Sequence, residues 1–317
     1  MAREVTPTRS GPTTRSARSG KGWRQALVFL APAFVLYSLF LMYPLVTAVS
    51  YSFFEWRGTV RGAFAGLDNY AALFGSSTFG GAFANAFWNN VLIFAGNLAV
   101  QLTVGLGCAV LLMHRTRFRR FFQTAITVPY LVNPLAIGFL FTLVFSPQLG
   151  PINNILRDVG LGDWAQPWLG QESTILPIVI AVGAWQWVGF PVLIFSAALA
   201  SIPPEYEEAA RLDGASPWRI FRSVTLPLLT PAIGSVTVLG FVSSFTTFAL
   251  VIGLTDLRGG LSGAADTLML IFYRTAFGPG VNAVGTSSAI AVLIFVVVFG
   301  VAVVFNRIMR RREEALT

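Results

Sequence analysis

The stretch "EYEEAARLDGASPWRIFR", Glu205 to Arg222, holds four carboxylates and three arginines in a chain where charge is scarce. The chemistry open to such a set is ion pairing and close contact with another surface. Prolines at 203 and 204 suit the first turn of a helix, and Glu205, Glu207 and Glu208 complement its positive N-terminal dipole. Gly214 offers a left-handed stop, after which Ser216 as N-cap and Pro217 at the first position start a second helix. A short helix–turn–helix is therefore expected over 201–225. Asp213 falls in the last turn of the first helix, where the dipole disfavours a carboxylate. It caps the second helix, pairs with Arg219 or meets a partner. Ala209 and Ala210 are small enough to let another surface approach the backbone. On residue types alone, an amphipathic linker and a docking device both fit.

Little else in the chain suits catalysis. Cys108 is the single cysteine and lies in an apolar run, so no disulfide framework or cysteine-rich metal site is expected. The sole histidine, His114, sits beside Arg115 at a span end with no second ligand nearby, and reads as a solvated interfacial residue. Lys21 is the only lysine; it follows "TTRSARSG" and precedes Gly22, which fails the phosphate-binding pattern G-x-x-x-x-G-K-[ST]. Neither HExxH nor GxSxG occurs. The chain reads as neither a self-contained motor nor a recognisable enzyme, with no metal or cofactor of its own.

The elements that carry the polar loop are membrane spans. Of 317 residues, 55% are hydrophobic and 11% charged, and the mean hydropathy is +0.68. A soluble chain carries about 25% charge. Arg24 to Glu55, Glu172 to Glu205, Arg222 to Asp256 and Arg274 to Arg307 each enclose about thirty uncharged residues, more than the roughly twenty that cross a bilayer as a helix. The fold class expected is all-α, a polytopic membrane protein with six crossings at about 25–51, 87–113, 121–146, 174–200, 226–253 and 286–306. A transmembrane domain over 23–310 lies between a basic, Ser- and Pro-rich tail, 1–22, expected to be disordered, and a short C-terminal tail, 311–317. The first apolar run is too long for a secretory signal and reads as an uncleaved anchor.

Seventeen of the 22 lysines and arginines fall near the N-terminus, in 114–120, in 201–225 and at the C-terminus. The positive-inside rule makes that side cytoplasmic, with both termini inside. The net charge of +8 thus reflects orientation in a lipid bilayer and not nucleic-acid binding. Trp23, Trp56 and Trp88 fall where spans meet headgroups. No internal repeat is evident, and no Asp, Glu, Lys or Arg lies within the six cores, which argues against an ion-driven carrier. Uphill transport would then need another polypeptide to supply energy.

Glu208-Ala209-Ala210, three residues, Gly214, nine residues, Val224, one residue and Leu226-Pro227 resembles the EAA loop of ATP-binding-cassette importer permeases, E-A-A-x3-G-x9-I-x-L-P, with valine for isoleucine. "FLAPAFVLYSLFLMYPLVTAVSYSFFEW", "GLDNYAALF", "VPYLVNPLAIGFLF", "AWQWVGFPVLIF" and "SIPPEYEEAARLDGAS" are similar to carbohydrate-uptake permeases of the maltose and glycerol-phosphate type. The resemblance implies a docking role for Glu207, Glu208, Ala209, Ala210, Asp213, Gly214, Leu226 and Pro227 against a separate ATPase. It also implies a heterodimer with a second homologous permease, two ATPase subunits that hold ATP and Mg, and an extracytoplasmic solute-binding protein. Members often carry T-x-G-G-P after the fifth span; here the region reads "LTDLRGGLSGAADT", on the external side and away from the coupling loop.

By the same resemblance the solute path is expected at Trp185, Gln186 and Gly189 before the loop, and at Gly240, Ser243 and Ser244 after it. Aromatic and neutral hydrogen-bonding groups suit a sugar substrate. Small and hydroxyl residues also serve helix packing in membranes. Other solutes, such as a glycerol phosphodiester, an amino acid or a peptide, remain alternatives at this stage, as does a stand-alone carrier or membrane enzyme.

Overall fold

The computed structural model describes residues 22–75, 79–113, 118–278 and 282–314. The tail up to Lys21, His114 and the last residues of the C-terminal tail lie outside the described residues. The chain divides into two compact units, 1–47 and 48–317. The first consists, where described, of helix α1 (Gly22–Tyr37) and a π-helical turn at Ser38–Met42, continued by α2 (Tyr43–Tyr51). It presents apolar side chains, Phe29 and Phe40 among them, on its surface, as suits a helix in lipid.

The second unit departs from all-α at its start. Strands β1 (Phe54–Arg57) and β2 (Val60–Phe64) form an antiparallel hairpin, with Arg57 opposite Val60 across Gly58 and Thr59. Gly58 has φ +60°, the conformation that a two-residue hairpin turn asks of glycine. Trp56 is buried here, its ring 4.5 Å from that of Tyr51. It is hairpin core, whereas Trp23 and Trp88 are exposed.

Helix α3 (Asp68–Gly75) precedes α4 (Phe79–Val100), which passes through a π-helical turn at Gln101–Gly105 into α5 (Leu106–Met113). Among the described residues, three helices are by themselves long and apolar enough to cross a membrane: Leu27–Tyr51, Phe79–Met113 and Ala283–Met309. Three bent pairs raise the number to six if each counts as one span.

The expected span 121–146 is one of these pairs. Helix α6 (Arg119–Leu131) and α7 (Pro134–Val144) meet at 98°. Pro134 cannot continue a helix and biases its predecessor toward extended backbone. Val132 is extended, and Asn133 caps α7 through its side chain, which accepts from Leu135 N. The segment that follows holds α8 (Pro151–Asp158), and the next pair, α9 (Glu172–Trp187) and α10 (Gly189–Ala200), bends by 41°.

The expected span 226–253 is shorter and differently placed. Helix α14 (Thr230–Phe245) ends before Thr246, and α15 (Ala249–Thr255) is a separate short helix. Helix α15 seats on α7 through paired glycines: a Cβ at Gly138 would lie 2.7 Å from Gly253 Cα. Helix α16 (Leu268–Phe277) follows, then α17 (Ala283–Glu314), the longest. One apolar cluster joins α4, α7, α9, α15 and α16 around Val179, Val251 and Leu270. A second joins α3, α4, α14, α16 and α17 around Leu73, Phe245 and Ile290, and a third joins α5, α10 and α14 around Phe195 and Val236.

Candidate functional site

The polar loop folds into α11 (Pro204–Leu212), α12 (Pro217–Ile220), a π-helical turn at Phe221–Thr225 and α13 (Leu226–Leu228). The stop between the first two is a complete Schellman motif. Ala215 N donates to Ala210 O at 3.0 Å, Gly214 N donates to Arg211 O at 3.0 Å, and Gly214 sits at φ +75°. A Cβ on Gly214 would meet nothing within 4 Å, so glycine is required there by backbone conformation and not by space. Ser216 caps α12, its Oγ accepting from Arg219 N.

Asp213 therefore caps nothing through its side chain, and among the described residues its carboxylate forms no ion pair with Arg219. The pair that does form is Glu207 with Arg211, at 3.0 Å one turn apart. Glu208 and Ala209 are exposed, Ala210 and Leu226 half-buried, and Pro227 exposed. Around them Leu212 is 89% exposed, and Tyr206 and Trp218 also stand in the open, Trp218 stacked on Phe221 at 5.7 Å. An uncovered carboxylate beside alanines and three large apolar side chains makes a compact contact surface.

The six residues expected along a solute path have different surroundings. Trp185 is half exposed, its ring 5.4 Å from that of Phe141. Gln186 is 1% exposed, and its Nε2 donates to Val132 O at 3.1 Å, the carbonyl freed by the break between α6 and α7. Gly189 lies against α6, where a Cβ would come within 2.6 Å of Ile126 O. It is a point of backbone contact between α10 and α6. Gly240 faces Gln101 of the π-helical turn. Ser243 is half-buried, and Ser244 is buried with its carbonyl accepting from Asn90 Nδ2 at 2.7 Å.

Residue types alone missed the amides of α4. Asn90 bridges two elements, its Oδ1 accepting from Leu268 N at 2.9 Å, and Asn89 donates to the carbonyls of Ala264 and Asp266. The signal was available in sequence: Asn85, Asn89, Asn90, Asn97 and Gln101 interrupt an otherwise apolar run.

Between α15 and α16, Asp266 forms a two-pronged pair with Arg274, at 3.1 and 2.7 Å. Burial pushes the Asp266 carboxyl above its ordinary range, while the hydrogen bonds and charge of Arg274 pull it down. The loop before it winds through left-handed Gly259, Gly260 and Gly263, and a Cβ at Gly259 would collide with the Asp266 carboxylate. These glycines let the chain wrap a buried charge. Arg274→Ala should lower stability by about 2–3 kcal/mol, since it leaves a buried carboxylate unpaired while the half-exposed arginine is replaceable in part by water. Thermal unfolding in detergent checks this, with Asp266→Asn added to recover most of the loss. The deficit should shrink as pH falls, because protonation removes the unpaired charge. Equal melting of Arg274→Ala and the parent would show that the pair contributes nothing.

Comparison with known proteins places this geometry. Residues 101–314 match the family of binding-protein-dependent transport system inner membrane components. The chain is 30% identical over 290 residues to a probable ABC transporter permease, YurN of Bacillus subtilis, covering 90% of this chain and 96% of that one. It is 29% identical over 291 residues to AmyD of Thermoanaerobacterium thermosulfurigenes, a probable permease for transport of starch degradation products, covering 90% and 94%. The fold matches a chain of a bacterial ABC transporter involved in import of the acidic polysaccharide alginate, with a TM-score of 0.78, 23% identity, and 92% and 96% of the two chains covered. The chain therefore belongs to the family of binding-protein-dependent transport system inner membrane components: it is an integral membrane permease of an ATP-binding-cassette importer.

Proposed function

We propose that this chain lines one half of the path by which a sugar or oligosaccharide enters a bacterial or archaeal cell, and that its 201–225 loop receives the ATPase stroke. The observation that carries the coupling role is the open face of α11. Glu208 and Ala209 are exposed beside Leu212 at the end of a helix locked by Gly214. Supporting the substrate class, AmyD is named for starch degradation products and the matched structure for alginate import. The neutral polar groups at Gln101, Ser243 and Ser244 suit hydroxyl-bearing cargo. On this reading six crossings place both termini and the loop in the cytoplasm. Glu207, Glu208, Ala209, Ala210, Asp213, Gly214, Leu226 and Pro227 form or support the ATPase contact. ATP and Mg stay on two ATPase subunits, a second homologous permease completes the channel, and a binding protein delivers solute from outside. Gly240, Ser243 and Ser244 border the path, while Trp185, Gln186 and Gly189 shape the helices around it.

The functional test is uptake by the assembled transporter in vesicles, with maltotriose, lactose and sn-glycerol 3-phosphate as probes. Accumulation of a sugar that requires both ATP and the binding protein is expected. Accumulation of glycerol phosphate alone would overturn the sugar reading.

Orientation is tested separately. In a Cys108→Ser background, Ser216→Cys should resist an impermeant thiol reagent in intact cells, whereas Gln171→Cys should label. Labelling at position 216 from outside would overturn the topology and the coupling role together.

A further inference from the structure

Five amide side chains lie along α4 and the turn that follows it, and they divide into two groups. Asn85, Asn89 and Asn90 serve the fold: the first two donate to carbonyls of the 263–266 segment, and the third ties Ser244 to Leu268. Asn97 and Gln101 hold nothing comparable. Asn97 is 8% exposed and its Oδ1 has no hydrogen-bond partner. That oxygen faces α9 at Gly183, where a Cβ would begin 3.6 Å away. Gln101, one turn further on and 4% exposed, faces α14 at Gly240. A Cβ there would stand 3.1 Å from Gln101 Oε1 and meet nothing else within 4 Å.

Three features thus coincide between α4, α9 and α14. A buried amide acceptor without a partner is costly in a segment that crosses lipid. The helix opens into a π-helical turn at Gln101, a distortion that recurs at functional sites because it re-aims side chains. Gly240 leaves the wall opposite Gln101 without a side chain, whereas at Gly183 Leu250 Cδ2 stands 3.3 Å from where a Cβ would begin. No charged residue lies within a turn of Asn97, Gln101, Gly183 or Gly240 along the chain.

We propose that Asn97 and Gln101 form a hydroxyl-binding site inside the bundle, presenting their amides to a neutral polyhydroxylated solute that passes between α4 and α14 beside Gly240. An amide both donates and accepts, as does a hydroxyl, so the two satisfy each other in either sense. An anion would find donors but no cation to balance its charge. Both amides lie on the second candidate span, which the resemblance does not point to, although Gly240 opposite them is one of the residues that it does. The site rests on the sugar reading above.

The test uses the complete transporter with its binding protein, and maltotriose and lactose as probes. Gln101→Met and Asn97→Leu keep volume while removing the hydrogen-bonding groups. Packing alone predicts that they leave transport unchanged, since apolar replacement of an unsatisfied buried group is nearly neutral or stabilising. A binding role predicts intact assembly, unchanged ATPase activity in the presence of binding protein, and a rise in KM for sugar of about tenfold for each lost hydrogen bond. Gly240→Ala, which places one methyl before Gln101 Oε1, should raise KM in the same direction. Normal KM in all three variants, with sugar uptake by the parent, would overturn this site alone. Loss of assembly in both apolar variants would overturn it too, by assigning the amides to packing. Failure of the parent to carry either sugar would overturn the sugar reading and the site with it.

Discussion

Gly214→Pro should abolish ATP-driven uptake while the chain still inserts in the membrane. Proline fixes φ near −65°, whereas Gly214 sits at +75° and donates its N–H to Arg211 O. The substitution therefore removes half of the Schellman motif and forbids the backbone that makes it, at a local cost of about 3 kcal/mol or more. Helices α11 and α12 would lose their fixed angle, and a contact that transmits motion depends on that angle. Gly214→Ala is the graded companion. Its methyl has open space, so any defect comes from the left-handed conformation, at about 1–2 kcal/mol. Glu208→Lys approaches the same site from the other side. Glu208 is exposed and outside the Glu207–Arg211 pair, so the fold should survive, while charge reversal weakens ATPase capture. Co-purification of the ATPase and vesicle uptake measure both effects. Wild-type uptake in Gly214→Pro and Glu208→Lys would end the docking proposal.

Gly189→Trp should do more damage, and of a different kind. Even a methyl at this position would press within 2.6 Å of Ile126 O and 2.7 Å of Thr127 Cα, both backbone atoms that cannot swing aside. An indole would force α10 off α6, break the Tyr130 ring contacts with Trp187 and Phe190, and disturb the nearby Gln186–Val132 hydrogen bond. Overpacking of one methylene alone costs about 1–3 kcal/mol, so loss of folded, assembled protein is expected, not a blocked but intact channel. Size-exclusion profiles in detergent and co-purification with the ATPase distinguish the two. An assembled complex that fails only in transport would return Gly189 to the solute path.

The local chemistry of the coupling loop was legible before any packing was known. Its caps and stop each act over only a few positions of chain: Pro204 at the first turn, Ser216 as N-cap, Gly214 as the left-handed stop. Asp213 was ambiguous for the opposite reason. Its role depends on which groups converge on it, and Ser216 takes the cap it was free to take. The 98° break at Val132–Asn133 was encoded in Pro134, but a run of uncharged residues conceals it, since hydropathy records composition and not direction. The hairpin at 54–64 was missed likewise, because two short strands hardly alter a profile set by thirty-residue windows.

By itself the sequence determined the class of molecule, its apolar segments, the expected orientation and the turn chemistry of its polar loop. These follow from residue composition and from interactions spanning a few positions, which the chain carries with it however it folds. Only the tertiary structure decided what each buried glycine and amide does. Gly189 and Gly240 are indistinguishable as letters, yet one touches the backbone of α6 and the other faces the side chain of Gln101. Gln186 and Asn97 are both buried amides with an unpartnered oxygen, yet the Nε2 of one donates to the carbonyl left free by a broken helix and the other faces Gly183 of a neighbouring helix. A side chain inside a bundle is defined by neighbours distant in sequence, and their approach is fixed only when all the helices have packed.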